Sequence, residues 1–459
     1  MQPFTVFGSL KQVEYIYPEI TIHMKKAFLL LTFTLLSFSS FSSHLMGGQI
    51  TARNIGGLTY EITLTQYRDT LGIPISPGAQ VDFMDAVTNI QLVRLTIYPT
   101  CQPAIGMGNG VEKYIYIDTV TFPYAGSFIA FYSTCCRNSA ILNLPQPDTR
   151  YLFLDALIWA DSTNSSPVFL NDPITIAQDS VPFSYNPAPF DIDGDSLQWQ
   201  MDIPMDVNIS SVGIGLPILP YSLPPSDPSN PFALNPNTGE ITFTPIAIGN
   251  FQISLKAIEY RNGLPVGYIR RDMQLIVLPS PNAPIVVNAV PNVNRFSTGS
   301  PSTQSAPVYV NPGQHLSFLF ETLNPDNGMI EVTLNGDAFN ANTPAMVTSN
   351  PPYISNGSTS STSTIVDWYP SQSEVRSQPY SLIFRVADFY GPFKFYNDYT
   401  FPIVVTNNPT GLGDSPISST DTTLIKTIDV LGRTIENNSK GVIIRLYSNG
   451  TAKKYHVME

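Results

Sequence analysis

Leu234-Asn235-Pro236-Asn237-Thr238-Gly239-Glu240-Ile241-Thr242-Phe243-Thr244-Pro245, followed shortly by Gly249-Asn250-Phe251-Gln252-Ile253-Ser254-Leu255-Lys256-Ala257, decides the fold. Ile241 and Phe243, then Phe251, Ile253, Leu255 and Ala257, alternate with neighbours on the other face. That period of two belongs to strands with one face buried. Between them, Asn-Pro-Asn-Thr-Gly is turn chemistry: proline presets φ, glycine accepts positive φ, and asparagine bonds its own backbone. Short alternating strands separated by such turns are what a β-sandwich requires. Upstream, Phe190-Asp191-Ile192-Asp193-Gly194-Asp195-Ser196-Leu197 adds a bend at Gly194, and the unit spans residues 161–280.

The same patterning extends both ways. Residues 44–160 alternate at Tyr60-Glu61-Ile62-Thr63-Leu64-Thr65-Gln66-Tyr67, at Tyr114-Ile115-Tyr116-Ile117 and at Phe128-Ile129-Ala130-Phe131-Tyr132. Gly56-Gly57, Gly72-Ile73-Pro74 and Gly106–Gly110 punctuate them. Residues 281–408 read as a divergent copy of 161–280: Leu323-Asn324-Pro325-Asp326-Asn327-Gly328 stands in for the aspartate loop and Tyr380–Asp388 for the late strand. The expected fold is all-β, a tandem of β-sandwiches with a small β tail.

Composition agrees. Of 459 residues, 41 are proline, 29 glycine, 23 tyrosine and 26 phenylalanine, and only 13% are charged. Such a chain favours strands and turns over helices, and its 43% hydrophobic content is enough to pack. Its length predicts about three domains. The net charge of −12, with scattered basic residues, gives no footprint for nucleic acid. Four histidines leave little for a histidine-rich metal enzyme.

Both ends read as addresses. Met24-Lys25-Lys26 and the apolar run 27–43 have the anatomy of a secretory signal, with Met24 as start and cleavage near Ser43. No other run is long enough to cross a bilayer, so the mature chain is expected to lack a transmembrane segment. After a linker at 409–423, residues 424–459 hold Thr427-Ile428-Asp429-Val430-Leu431-Gly432-Arg433, Lys440-Gly441-Val442-Ile443-Ile444 and Asn449-Gly450-Thr451-Ala452-Lys453-Lys454. This pattern resembles the C-terminal sorting domain of type IX secretion. The resemblance rests on Asp429, Gly432, Arg433, Lys440, Gly441, Gly450, Lys453 and Lys454; Val442-Ile443 replaces its commoner Ile-Tyr pair. It implies recognition by the type IX machinery and a cell-surface or extracellular address.

Two further resemblances carry the middle. His44-Leu45-Met46-Gly47-Gly48-Gln49-Ile50, Tyr67-Arg68-Asp69 and Cys135-Cys136-Arg137-Asn138 resemble the N-terminal module of gliding-associated surface proteins, although Thr70 stands where that family has cysteine. Residues 161–280 resemble cadherin-like, dystroglycan-type immunoglobulin-fold repeats through Asp161, Pro167, Phe169, the D-x-D-G-D stretch and the N-x-x-T-G turn.

The candidate chemistry is narrow. Asp191, Asp193 and Asp195 alternate around Gly194, a spacing of hard oxygen ligands that suits Ca²⁺. An Asp/Gly turn without metal is the other reading. The cadherin-like resemblance implies that Asp161 and Glu259 contribute to the same ion. The three cysteines are an odd set in an exported chain. Cys101 is expected to pair with Cys135 or Cys136, with a vicinal Cys135–Cys136 bridge as the alternative. No catalytic constellation emerges. Gly194-Asp195-Ser196-Leu197 spells a hydrolase block, but its Asp-x-x-His partner is missing. His44 has no second histidine in its module for a copper site. Trp159, Trp199 and Trp368 are assigned to cores and not to sugar stacking. The sum is a non-enzymatic, exported surface protein acting by adhesion to an unknown surface or glycan ligand. The alternatives are a polysaccharide-active enzyme or sugar-binding accessory, and a surface-filament component.

Overall fold

The computed structural model describes residues 45–459 apart from 73, 101–102, 162, 174–175, 209–212, 280–282, 294–295, 298–306, 349–359, 408–423, 430–433, 436–440, 448–451 and 458–459. Among these the structure is all-β, with a few 3-10 turns. Among the described residues no helix is long and apolar enough to cross a membrane. The expected signal segment, Cys101, the 409–423 linker, Gly432, Arg433, Lys440 and Gly450 lie outside the described residues.

The chain divides into two compact units: Met1–Pro284 with Asn324–Glu331 and Arg385–Asp398, and the remainder. The first unit opens with β1 (Leu45–Gly56), β2 (Thr59–Asp69), β3 (Ala79–Asp85), β4 (Gln91–Ile97), β5 (Ile105–Gly108), β6 (Val111–Thr121), β7 (Gly126–Cys135) and β8 (Tyr151–Ala160). Short strands follow: β9 (Val168–Phe169), β10 (Ile176–Gln178), β11 (Phe183–Tyr185) and β12 (Pro189–Phe190). Then come β13 (Ser196–Asp202), β14 (Met205–Asp206), β15 (Leu216–Pro217), β16 (Ala233–Leu234), β17 (Ile241–Phe243), β18 (Gly249–Arg261) and β19 (Leu264–Leu278).

The alternation seen in the sequence sets the cores. Tyr60, Ile62 and Leu64 of β2 are buried with Ile50, Phe83, Leu152 and Leu154, while Thr59, Glu61 and Thr63 are half-buried. Phe251, Ile253, Leu255 and Ala257 of β18 pack on Ile241, Phe243 and Trp199. Asn262 and Gly263 both have positive φ and join Arg261 to Leu264 in a two-residue hairpin, the geometry that suits the twist of paired strands.

Residue 160 is not an edge between two sheets. β19 pairs β18 along its length, and also β8 through Tyr268↔Leu157 and β1 through Met273↔Gly47. Strands from either side of that expected boundary therefore share one 12-stranded sheet. The approach of β1 to β19 needs glycine: Gly47 has φ +150, and a Cβ there would collide with the Asp272 carbonyl.

The charged triplet of β19 sits at this seam, almost wholly buried. Arg270 donates to Asp155 at 2.5 Å and to Asp202 at 2.6 Å, and Arg271 donates to Gln49 at 2.6 Å. Arg137 pairs with Asp272 at 2.7 Å and donates to the Met205 carbonyl at 2.9 Å. Buried charges are costly unless paired and hydrogen-bonded. Arg270 and Asp272 are paired, whereas Arg271 meets only neutral oxygens of Gln49, Asn171 and Tyr185 and keeps one terminal nitrogen without a hydrogen bond. The Gly-Gly-Gln and Cys-Cys-Arg-Asn stretches are thus parts of an internal joint. At the end of β7 the disulfide joins Cys135 to Cys136. This is the vicinal alternative of the sequence reading; Cys101, the other expected partner, lies outside the described residues.

Residues 285–405 hold β20 (Val286–Val293), β21 (Phe296–Ser297), β22 (Val308–Val310), β23 (Leu316–Leu323), β24 (Ile330–Asn335), β25 (Met346–Val347), β26 (Ser361–Trp368), β27 (Tyr380–Tyr390) and β28 (Phe393–Val405). They form a five-stranded sheet, β21-β20-β23-β26-β25, and a four-stranded one, β22-β28-β27-β24. In the tail, β29 (Leu424–Asp429), β30 (Thr434–Ile435), β31 (Gly441–Tyr447) and β32 (Ala452–Val457) make a sheet in the order β30-β29-β31-β32. Asp429 ends β29, Gly441 begins β31, and Lys453 and Lys454 lie in β32 opposite Arg445 and Ile444.

Candidate functional site

Three of the five expected metal ligands, Asp191, Asp195 and Glu259, come together at one end of the β13–β18 pair, while Asp193 and Asp161 fall outside that cluster. Asp191, Asp193 and Asp195 lie on the loop between β12 and β13, and Glu259 faces Leu197 from β18. Asp161 follows β8 at the start of the linker.

Each carboxylate has a distinct setting. Asp191 Oδ1 accepts the backbone N–H groups of Asp193 and Asp195, both at 3.0 Å, wrapping the loop around itself with Gly194 at φ +81. Asp193 Oδ2 accepts the Ser165 N–H at 2.5 Å and so ties linker to loop. Asp161 Oδ1 accepts the N–H groups of Thr163 and Asn164 at 2.8 and 2.7 Å. Its Oδ2 accepts the Trp159 indole at 3.2 Å. Glu259 is 1% exposed. It has room because residue 267, opposite it, is glycine: a Cβ there would stand 3.0 Å from Glu259 Oε2 and 2.8 Å from the Leu157 carbonyl.

The electrostatics are unbalanced. Asp191 Oδ2 and Glu259 Oε1 are buried without hydrogen-bond partners. Burial, with the charges of Asp195 and Asp193 behind it, pushes Asp191 up to about 7 against the pull of the Asp195 N–H. Burial and the neighbouring Asp191 push Glu259 well above the carboxylate range. Asp193 is raised too, mainly by burial. Burial also acts upward on Asp161, but the Thr163 and Asn164 N–H groups outweigh it and hold that carboxyl low. The fold has gathered carboxylates that it cannot comfortably ionise alone.

An oxygen each from Asp191, Asp195 and Glu259 lies within 4.8 Å of the other two. Ca²⁺ binds oxygens at about 2.3–2.6 Å, so ligands on opposite sides are about 5 Å apart, and this set fits one coordination sphere. These hard oxygens, two of them buried and unpartnered, suit Ca²⁺ better than a softer metal.

The chain contains its own comparison. In the divergent copy, Asp326 N–H donates to Asn324 Oδ1 at 2.9 Å, and Asp326 Oδ2 accepts the Ala283 N–H at 2.6 Å. These repeat the Asp193–Asp191 and Asp193–Ser165 contacts. The difference is one amide. Asn324 Nδ2 donates to the Asp388 carboxylate at 2.8 Å, where Asp191 sets a second carboxyl beside Glu259. The same loop position carries an amide in one copy and a second carboxyl in the other.

Sequence reasoning missed Arg261, Asn164 and Gly267. Arg261 sits two residues after Glu259 and directly before Asn262-Gly263, a hairpin signal that marks it as the end of a strand without showing what it faces. Of the tryptophans, Trp199 and Trp368 are each 2% exposed and fill cores, whereas Trp159 is 37% exposed.

No family model matches the sequence, and no curated protein matches it. Among solved structures, Sidekick-1 immunoglobulin domains 1–4 share 9% identity, covering 78% of this chain and 74% of that one, with a TM-score of 0.17. A run of titin domains shares 9%, covering 78% of this chain and 97% of that one, with a TM-score of 0.15. TM-scores of that size carry no argument.

Proposed function

We propose that this chain is an exported, surface-displayed β-sandwich protein acting in adhesion, with Ca²⁺ bound at the Asp191, Asp195 and Glu259 cluster. The observation that carries the metal is the pair of buried, unpartnered oxygens, Asp191 Oδ2 and Glu259 Oε1, aimed into a carboxylate set of calcium dimensions. Bound there, the ion would join the aspartate loop to the end of β18. Asp193 holds the linker against that loop through the Ser165 N–H, and Asp161 accepts the N–H groups of Thr163 and Asn164 within the linker itself. The gain is stiffness where the chain passes from β8 into the next strands. Adhesion then falls to loops on a rigid frame, the usual place for binding residues. The export address rests on the tail resemblance.

Calorimetry tests the metal. The full chain is expected to take up one Ca²⁺ here, and the double variant Asp191→Ala/Asp193→Ala to take up none. Identical titrations would overturn the site. A sugar-binding reading has one observation in its favour, the exposed indole of Trp159. Glycan-array binding that disappears in Trp159→Ala would favour it.

A further inference from the structure

The cluster already holds a cation that the chain supplies. Arg261 Nε lies 3.0 and 3.1 Å from the two oxygens of Asp195, and one terminal nitrogen lies 2.6 Å from Asp195 Oδ2. That nitrogen also donates to Asn164 Oδ1 at 2.5 Å. The other terminal nitrogen donates to Thr163 Oγ1 at 3.4 Å and lies 3.5 Å from Asp161 Oδ2. One planar guanidinium therefore grips the aspartate loop with one edge and the linker with the other.

We propose that Arg261 is the internal cation that pins the linker Asp161–Ser165 to the aspartate loop, so that closure of this joint needs no metal. Three observations point the same way. Arg261 is the one arginine or lysine that contacts both segments among the described residues. Asn164, which it holds, is 2% exposed, so the grip is on a seated residue and not on a waving surface chain. And the divergent copy, whose loop carries the amide of Asn324, has Tyr390 two residues after Asp388, where Arg261 follows Glu259. The arginine is present where the amide is absent. A guanidinium suits the task because its fixed fork meets a carboxylate edge-on while leaving donors for a second partner.

The proposal stands on the contacts of Arg261 itself, and its test is separate from that of calcium. Amide hydrogen exchange of the full chain in EGTA is the test, comparing the parent with Arg261→Gln and Arg261→Lys. In the parent, peptides spanning Thr163–Ser166 are expected to exchange slowly. In Arg261→Gln they exchange roughly tenfold faster or more, while peptides from β7 and β8 are unchanged and report an intact fold. Arg261→Lys, which keeps the charge but loses the fork, falls between the two. Linker exchange in Arg261→Gln equal to the parent's would overturn the latch. Linker exchange in the parent that slows only after Ca²⁺ is added would overturn it too, since the ion would then be doing the closing. Calcium titration of the parent decides the other proposal separately.

Discussion

Asp191 is held in a setting that favours its protonated form. Burial lifts it from 3.8 to about 7, so the stability it contributes is fully present below the lower value and is lost as pH rises through the upper one. Glu259, raised in the same sense, extends that loss to higher pH. The melting temperature in EGTA is therefore expected to fall as pH is raised from about 4 to about 8. Asp191→Asn should flatten the fall, and Ca²⁺ should offset it by occupying the ionised site. Calorimetric melts across that window check this, and a metal-free melting temperature that climbed with pH would count against it. At this scale the aspartates were legible, because Asp-x-Asp-Gly-Asp announces both bend and ligands. Arg261 was not. It stands beside Asp195 only because Ser196 pairs with Tyr260, a register that no local window contains.

At the scale of elements, β19 is where sequence reading stops working. Its Arg270-Arg271-Asp272 triplet has the look of an exposed polar stretch, yet all three side chains are buried. They are tolerated because Asp155, Asp202, Gln49 and Arg137 arrive from other strands to meet them. Removing one partner of such a pair leaves the other as an uncompensated buried charge. Arg137→Ala is expected to cost about 3–5 kcal/mol, measured by urea unfolding of the first unit. A loss below about 1 kcal/mol would mean that water reaches the seam and screens the pair. β18, by contrast, was readable end to end, since Phe251, Ile253, Leu255 and Ala257 point at a core of their own. The alternation of a strand shows which face is buried. It does not show which neighbour does the burying.

For the molecule, the shared sheet predicts that the first two modules fold as one body. A fragment of residues 161–284 alone would strip β19 of β1 and β8 and leave Arg270, Arg271 and Asp272 without Asp155, Gln49 and Arg137. It is expected to show no cooperative melt, whereas residues 44–284 retain one; circular dichroism on the two fragments compares them directly. An independent, cooperative melt of 161–284 would restore a boundary at 160.

The sequence by itself determined that the protein is all-β, where its strands alternate, and which aspartates could share an ion. Those properties are local, written in a period of two and in turn residues. Tertiary structure alone decided that β19 fuses two modules, that Glu259 is buried without a full set of partners, and that Arg261 bridges linker and loop. Each depends on pairing between residues far apart in the chain. A buried charge or an orphaned oxygen is defined by what surrounds it, not by its neighbours in sequence.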